Sequence, residues 1–411
     1  ESREKVVLAL GCNPMVNARE EVDRGTIILP QEQERLMEAV YQANPNVVLA
    51  LFSNYPYAMN AAQEKLPAIL WSATGSQDMG EAMAETIFGE NAPAGRLNMT
   101  WYQSDDQLPD IDDYDVIKGK RTYRYFDGEV LYPFGFGLTY SDFVYSDLSV
   151  KLMDKRNLRV SFTVKNIGKR TSDEVAQVYG TAPVSRVKKP LKQLIGFRRL
   201  KNVAPGECRK VELSVPIEEF RFYDVISRSL MVEEGCYTIY AGPSSAAEGL
   251  TAQIEIPGGK PGLRDLSKKT AADHYDDYEN IVLTQGQFGY SAAEPLCPEK
   301  ESVLVYRDCA VAPDAKEMVL HLLSEKGCKV EVLIDGKTVG SWQGDTRTYV
   351  RNPRPVMGPL MIPDTEARIA GWKPVYADVK IDLTHDTKEK QAPSELIIRM
   401  TGDVRLCYYR M

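Results

Sequence analysis

The chain has 411 residues, more than one hydrophobic core serves, so several domains are expected. Its formal net charge of −8, with no basic cluster on any one element, excludes a nonspecific nucleic-acid binder. No apolar run reaches the roughly 18 residues a membrane-spanning helix requires, and no secretory signal peptide is visible. The chain opens on Glu1 rather than Met and reads as part of a longer polypeptide.

The first region, 1–118, reads as an α/β layer. Val6 to Leu10 is a short apolar run ending in Gly11, the pattern of a buried parallel strand. Gln31 to Asn44 has helical spacing, with Leu36, Ala39, Val40 and Ala43 on one face. Val47 to Phe52 and Pro67 to Trp71 read as further buried strands, and Asp78 to Phe88 as a helix stopped by Gly89. Strand, helix, strand, strand, helix predicts a doubly wound layer, whose chemistry belongs on the loops after strand ends. Those loops are 12–24, 53–57 and 72–78.

From Val144 the pattern changes to alternation. Leu158 to Asn166 alternates apolar and polar residues as a half-buried strand does. Asp173–Tyr179, Gln193–Leu200, Arg209–Val215 and Cys236–Ala241 repeat it, separated by turn signals such as Asn166-Ile167-Gly168 and Ala204-Pro205-Gly206. An antiparallel sandwich over 144–258 follows. The stretch 119–143 is an aromatic and glycine-rich linker, and 259–270 a second linker. Over 271–411, strands are expected at 303–306, 317–324, 328–334, 375–383, 395–400 and 404–408, with Asp335-Gly336 as a hairpin turn. Their order suggests a jelly-roll β-sandwich.

The seven cysteines (Cys12, Cys208, Cys236, Cys297, Cys309, Cys328 and Cys407) are scattered without paired spacing. That favours reduced, buried thiols over a disulfide framework or a zinc site. His274, His321 and His385 are far apart, which argues against a Ser-His-Asp hydrolase. Asp273, Asp276, Asp277 and Glu279 have enough oxygens for a structural calcium, but they lack an EF-hand pattern, which favours a solvated acidic loop.

The densest charge lies in Asn17-Ala18-Arg19-Glu20-Glu21-Val22-Asp23-Arg24. On charge alone this is a solvated loop with internal ion pairs. It nonetheless resembles the glutamate-x-x-aspartate-arginine signature of glycoside hydrolase family 3. Pro67 to Ala73, Gly75 to Asp78, Pro93 to Leu97 and Tyr132 to Tyr140 also resemble that family, in the right order. The resemblance implies the family's α/β-sandwich domain, followed by a fibronectin type III-like domain over 144–258. Tyr306-Arg307-Asp308, Gly371-Trp372 and Thr401 to Leu406 are similar to carbohydrate-binding module family 6. The implied protein is the C-terminal part of a retaining, exo-acting β-glycosidase acting on β-linked oligosaccharides, β-xylosides ahead of β-glucosides. An N-terminal (β/α)8 barrel, in this or another chain, would supply its aspartate nucleophile.

Retaining hydrolysis needs two carboxyl groups about 5–5.5 Å apart. Glu20 matches the family's general acid/base, with Glu21 the alternative and Asp23 and Arg24 bracing the loop. Arg19, Ser53, Asn54, Tyr55 and Trp372 are the substrate-binding candidates. For each a plain reading stands beside it: surface arginine for Arg19, a polar turn closed by Pro56 for residues 53–55, core packing for Trp372 as for Trp342 and Tyr349. No cofactor, metal, nucleic acid or membrane partner is expected. A homo-oligomer stays open, and a cytoplasmic location is favoured over a secreted one. The rival reading is a non-catalytic carbohydrate-binding or scaffold protein, or one chain of a two-chain enzyme.

Overall fold

The computed structural model describes residues 4–12, 24–75, 77–246, 249–325, 327–350, 371–384 and 393–411, with backbone alone at 349–350 and 371–373. The chain divides into two compact units. One comprises Glu1–Val184, Lys188–Phe222 and Met231–Gly259; the other comprises Ser185–Val187, Tyr223–Leu230 and Lys260–Met411. Among the described residues, no helix is long and apolar enough to cross a membrane.

The first unit opens with the α/β layer. Strands β1 (Val6–Gly11), β2 (Val47–Phe52) and β3 (Ala68–Ser72) form a parallel sheet in that order. The pairs Gly11↔Phe52 and Phe52↔Ser72 bring the three carboxyl ends level. Strand β2 is central, so Val47, Leu49 and Leu51 are sealed from water. Strand β1 is an edge of this sheet, and Val7 and Ala9 on its second face are exposed, contrary to the expectation of a fully buried strand.

Helix α1 (Gln31–Ala43) turns a different face inward from the one the spacing suggested. Met37 is buried, with Val40 and Tyr41 packed beside it, while Leu36 is 49% exposed and Ala39 and Ala43 face solvent. Met37, Val40 and Tyr41 follow the same i, i+3, i+4 rule, one position on. A short helix α2 (Asn60–Lys65), which had no sequence signature, buries Ala62. Helix α3 (Met79–Phe88) ends where Gly89 adopts φ 79°, the left-handed conformation that closes a helix.

The rest of the first unit is a β-sandwich. One antiparallel sheet holds Phe143–Leu152, Asn157–Asn166 and Cys208–Pro216; the other has the order Thr251–Ile256, Gly235–Gly242, Ser172–Thr181, Gln193–Val203. Both sheets feed one core, with Val160 and Phe162 from the first meeting Val178 and Ile239 from the second. The first and last strands were not legible. A bulge between Ser146 and Ser149, with Asp147 at φ 60°, interrupts the alternation of the first.

The intervening segment binds layer to sandwich. Trp101 bridges to Tyr132, Tyr123 stacks on Phe134 at 4.2 Å, and the Tyr123 hydroxyl accepts the Leu194 N–H. The chain must come close at Gly135, where a Cβ would overlap Gln177 and Tyr179. Arg96 in the layer donates to Glu174 in the sandwich at 2.8 Å.

In the second unit two sheets share a core. One runs Arg264–Asp265, Ser302–Ala310, Ser394–Thr401, Cys328–Ile334, Lys337–Gly344; the other runs Ile281–Gln285, Ser291–Pro295, Val404–Arg410, Glu317–Ser324, Ala377–Asp382. Leu304, Ile398 and Val330 of the first sheet meet Leu320, Leu406 and Ile381 of the second. The hairpin at Asp335-Gly336 has φ of 50° and 77°, the two-residue turn expected of an Asp-Gly pair. Trp342 packs against this core.

Candidate active site

The level ends of β2 and β3 set the loops that follow them side by side. Their bonds are local. The Ser53 N–H donates to the Ser72 carbonyl at 3.0 Å, and the Trp71 indole donates to the Ser53 carbonyl at 2.9 Å. Asn54 Oδ1 accepts the Thr74 N–H at 2.9 Å, so the loops after β2 and β3 are laced together.

Ser53 itself is fully buried. Its hydroxyl donates to the Tyr55 carbonyl at 2.6 Å and accepts the Tyr55 N–H at 3.0 Å. This is a side-chain-closed turn, which leaves Asn54 and Tyr55 as the exposed members of the trio.

Arg24 closes the third side. Its guanidinium lies 4.6 Å from the Tyr55 ring centre and 5.0 Å from that of Tyr57, and Nη2 donates to the Pro56 carbonyl at 3.4 Å. It packs against the loop after β2 through two aromatic faces and a carbonyl. Residues 13–23 lie outside the described residues, and with them Arg19, Glu20, Glu21 and Asp23.

Two side chains that sequence reasoning missed grip the chain on either side of that stretch. Gln33, in the first turn of α1, accepts the Gly11 N–H through Oε1 at 3.0 Å and donates through Nε2 to the Gly11 carbonyl at 2.7 Å. Gly11 has no room for a side chain, because a Cβ would overlap the Phe52 carbonyl oxygen. Asp105 opens a single 3-10 turn, Asp105–Gln107. Its carboxylate accepts the Thr26 hydroxyl at 2.6 Å and the Ile27 N–H at 2.7 Å. The only sequence signal for Gln33 was an amide among glutamates at a helix start. Asp105 lies 78 positions from Ile27 and carried none.

A cavity of about 760 Å³ lies beside β3, lined by Ile69, Trp71, Trp101, Tyr132 and Tyr140 among others, and reaches the loop after β3 at Ser72 and Ala73. Ser53, Asn54 and Tyr55 do not border it. Burial raises the Tyr132 hydroxyl to about 12, so it stays protonated, and it donates to Gln63.

In the second unit, Trp372 stands opposite Tyr349 on the ribbon formed by Arg347–Val350 and Gly371–Pro374, their side chains lying outside the described residues. The calcium alternative for the acidic cluster fails at Asp276, whose side chain is 4% exposed and already neutralised. Arg186 Nη1 meets its Oδ1 at 2.8 Å and Arg264 Nη2 its Oδ2 at 2.9 Å. Among the described residues, no group of three or more His, Cys, Asp or Glu is placed to hold a metal.

Comparison with known proteins gives this geometry a context. Residues 1–140 match the glycosyl hydrolase family 3 C-terminal domain, and residues 174–245 match a fibronectin type III-like domain. A xylan 1,4-beta-xylosidase of Xylanibacter ruminicola is 34% identical over 229 residues, 56% of this chain and 26% of that protein. The thermostable beta-glucosidase B of Acetivibrio thermocellus is 34% identical over 248 residues, 57% of this chain and 33% of that protein. The crystal structure of a beta-glucosidase from Kluyveromyces marxianus in complex with glucose superposes with a TM-score of 0.57 at 28% identity, covering 62% of this chain and 32% of that one. These curated relatives are glycoside hydrolases, and this chain spans about a quarter to a third of their length.

Proposed function

We propose that this chain is the C-terminal part of a retaining, exo-acting β-glycosidase that cleaves β-xylosides or β-glucosides. The observation that carries the reading is the match of residues 1–140 to the family 3 domain, whose relatives are named for those two activities. The laced loops at the level strand ends support it, since open α/β sheets work there.

In this reading a (β/α)8 barrel supplies an aspartate that attacks the anomeric carbon. Glu20 gives its proton to the leaving oxygen as the glycosidic bond breaks. Glu20 then takes a proton from water, and the water oxygen displaces the aspartate and frees the sugar. Asn54 and Tyr55 form the pocket rim, and Arg19 reaches the substrate. The working division is α/β sandwich 1–118, linker 119–143, fibronectin type III-like domain 144–258, linker 259–270, and a family 6-like binding module 271–411 that offers Trp372 to glycan.

Kinetics of Glu20→Ala in the complete enzyme test this. Loss of a general acid costs about 10²–10⁴-fold where the acid is needed. The loss should therefore be large for alkyl leaving groups and small for dinitrophenol, with azide restoring part of the rate. An equal loss for every leaving group sinks the assignment.

A further inference from the structure

We propose that the cavity beside β3 is a binding site for an uncharged aromatic molecule that carries a hydroxyl group. The inference stands on described residues of the first unit and requires no role for Glu20.

Size and walls point to a small, flat ligand. The cavity, about 760 Å³, falls within the roughly 300–1,000 Å³ of small-molecule pockets. Trp71, Tyr132 and Phe136 line it and are only half-buried. Tyr132 and Phe136 lie stacked, ring centres 5.2 Å apart and planes 13° from parallel, and Trp71 meets Trp101 edge to face at 5.9 Å. Walls of this kind suit an aromatic ring.

Charge sets a second condition. Among the described residues of the lining, Arg96 alone is charged, and its guanidinium is already matched by Glu174 at 2.8 Å. An anion would find no free cation there, and a cation no free carboxylate, so the ligand is neutral.

Hydrogen bonding sets a third. The hydroxyls of the lining are committed: Ser72 donates to the Ala73 carbonyl at 2.9 Å, Tyr140 donates to the Thr86 carbonyl at 2.5 Å, Tyr132 donates to Gln63, and Thr139 pairs with Ser172. The backbone of β3 is not. Residues 66–73 line the cavity without a break, and β3 is the last strand of its sheet. The Ser72 carbonyl accepts the Ser53 N–H, so it faces the β2 side. By the alternation of a strand, the N–H and C=O of Ile69 and Trp71 face the outer edge, where no partner strand lies among the described residues. The indole N–H of the sealed Trp101 is likewise without a partner among the described residues. Donors and acceptors side by side suit a hydroxyl, which gives and takes a bond at once. They are few against largely apolar walls, which favours a hydroxylated aromatic ring over a sugar.

The experiment is a fluorine NMR titration of the complete protein with 4-fluorophenol. Binding should be saturable, with a Kd of about 1 mM or tighter. Fluorobenzene, which lacks the hydroxyl, should bind about five- to tenfold more weakly. Ionised 4-fluorobenzoate at pH 7 should bind at least about tenfold more weakly. A Cβ on Gly95 meets nothing within 4 Å, so Gly95→Phe adds bulk to the lining without displacing it. That variant should cut the affinity for 4-fluorophenol by at least about tenfold, as should Leu70→Trp on β3 itself. Thermal melting checks folding, and Leu70→Trp carries the test if Gly95→Phe does not fold. Saturating glucose or xylose should leave the binding unchanged.

Absence of saturable binding, unchanged affinity in both filled variants, or equal affinity for the ionised benzoate overturns the proposal. So does displacement by glucose or xylose, which would put the ring in a sugar pocket instead. A crystal structure of the complete protein with a polypeptide segment seated along β3 overturns it as well, because the free edge would then serve chain pairing.

Discussion

Glu174 and Arg96 put an ion pair between the α/β layer and the sandwich, with side chains 3% and 7% exposed. The second carboxylate oxygen of Glu174 accepts the Tyr145 hydroxyl at 2.7 Å. Burial, and then the Glu174 charge, push the Tyr145 hydroxyl far above its ordinary range, so it stays a donor at any pH the fold survives. Such a pair contributes little net stability over an apolar replacement, yet breaking it by halves is costly. Glu174→Ala strands a buried guanidinium and should destabilise the first unit by about 3–5 kcal/mol. Chemical denaturation measures this. The double variant Arg96→Met with Glu174→Met should recover much of the loss, whereas equal or greater loss in the double variant would refute the account.

At the scale of elements, alternation was the most legible signal, and thiol chemistry offers a test of it. Cys309, Cys328 and Cys407 lie on strands of the second unit and are buried, as the scattered cysteines led one to expect. Burial raises the Cys309 thiol to about 12. Cys208 and Cys236 correct that expectation, because both are exposed. Cys236 alternates with the sealed Tyr237, and Cys208 opens its strand on the solvent side. A disulfide reagent at pH 8 should label Cys208 and Cys236 first, Cys12 and Cys297 more slowly, and the three buried thiols only as the second unit opens. Peptide mapping identifies the order, and early labelling of Cys309 would contradict the packing.

The same comparison shows where sequence reading stopped. The strands at 317–324 and 328–334 were legible to the residue because the first is a short apolar run, the second alternates, and both end in turn signals. Helix α1 was legible as a helix, but its inward face was displaced by one position, because a stripe of small and large apolar residues does not say which one the sheet meets. The loops of the candidate site were legible as places, since they follow strand ends. Gln33 and Asp105 were not, because each acts across a long separation that leaves no local trace.

At the scale of the whole molecule, the second unit is not continuous in sequence. Ser185–Val187 and Tyr223–Leu230 lie within the sandwich-forming stretch of the chain yet belong to it. Arg186 is the reason. Its guanidinium, 4% exposed, meets Asp224 at 2.5 Å, Asp276 at 2.8 Å and Asp308 at 3.2 Å. The Ser227 N–H also donates to Asp224 at 2.8 Å. Burial alone would raise the Asp224 carboxyl; Ser227 and Arg186 outweigh it and hold the carboxyl below its ordinary value. A depressed folded value means this group stabilises the fold above the unfolded carboxyl value, about 3.9, and loses that contribution as pH falls through the folded value. Arg186→Met removes the shared cation and leaves Asp224 sealed without a counter-charge. Urea denaturation at pH 7 should show the second unit destabilised by about 3–5 kcal/mol. The difference from the unsubstituted chain should narrow at acid pH, because the stranded Asp224 is relieved by taking up a proton. An Arg186→Met penalty that stays constant from pH 7 down through acid pH would mean that packing of the arginine stem, and not its charge, joins these distant segments.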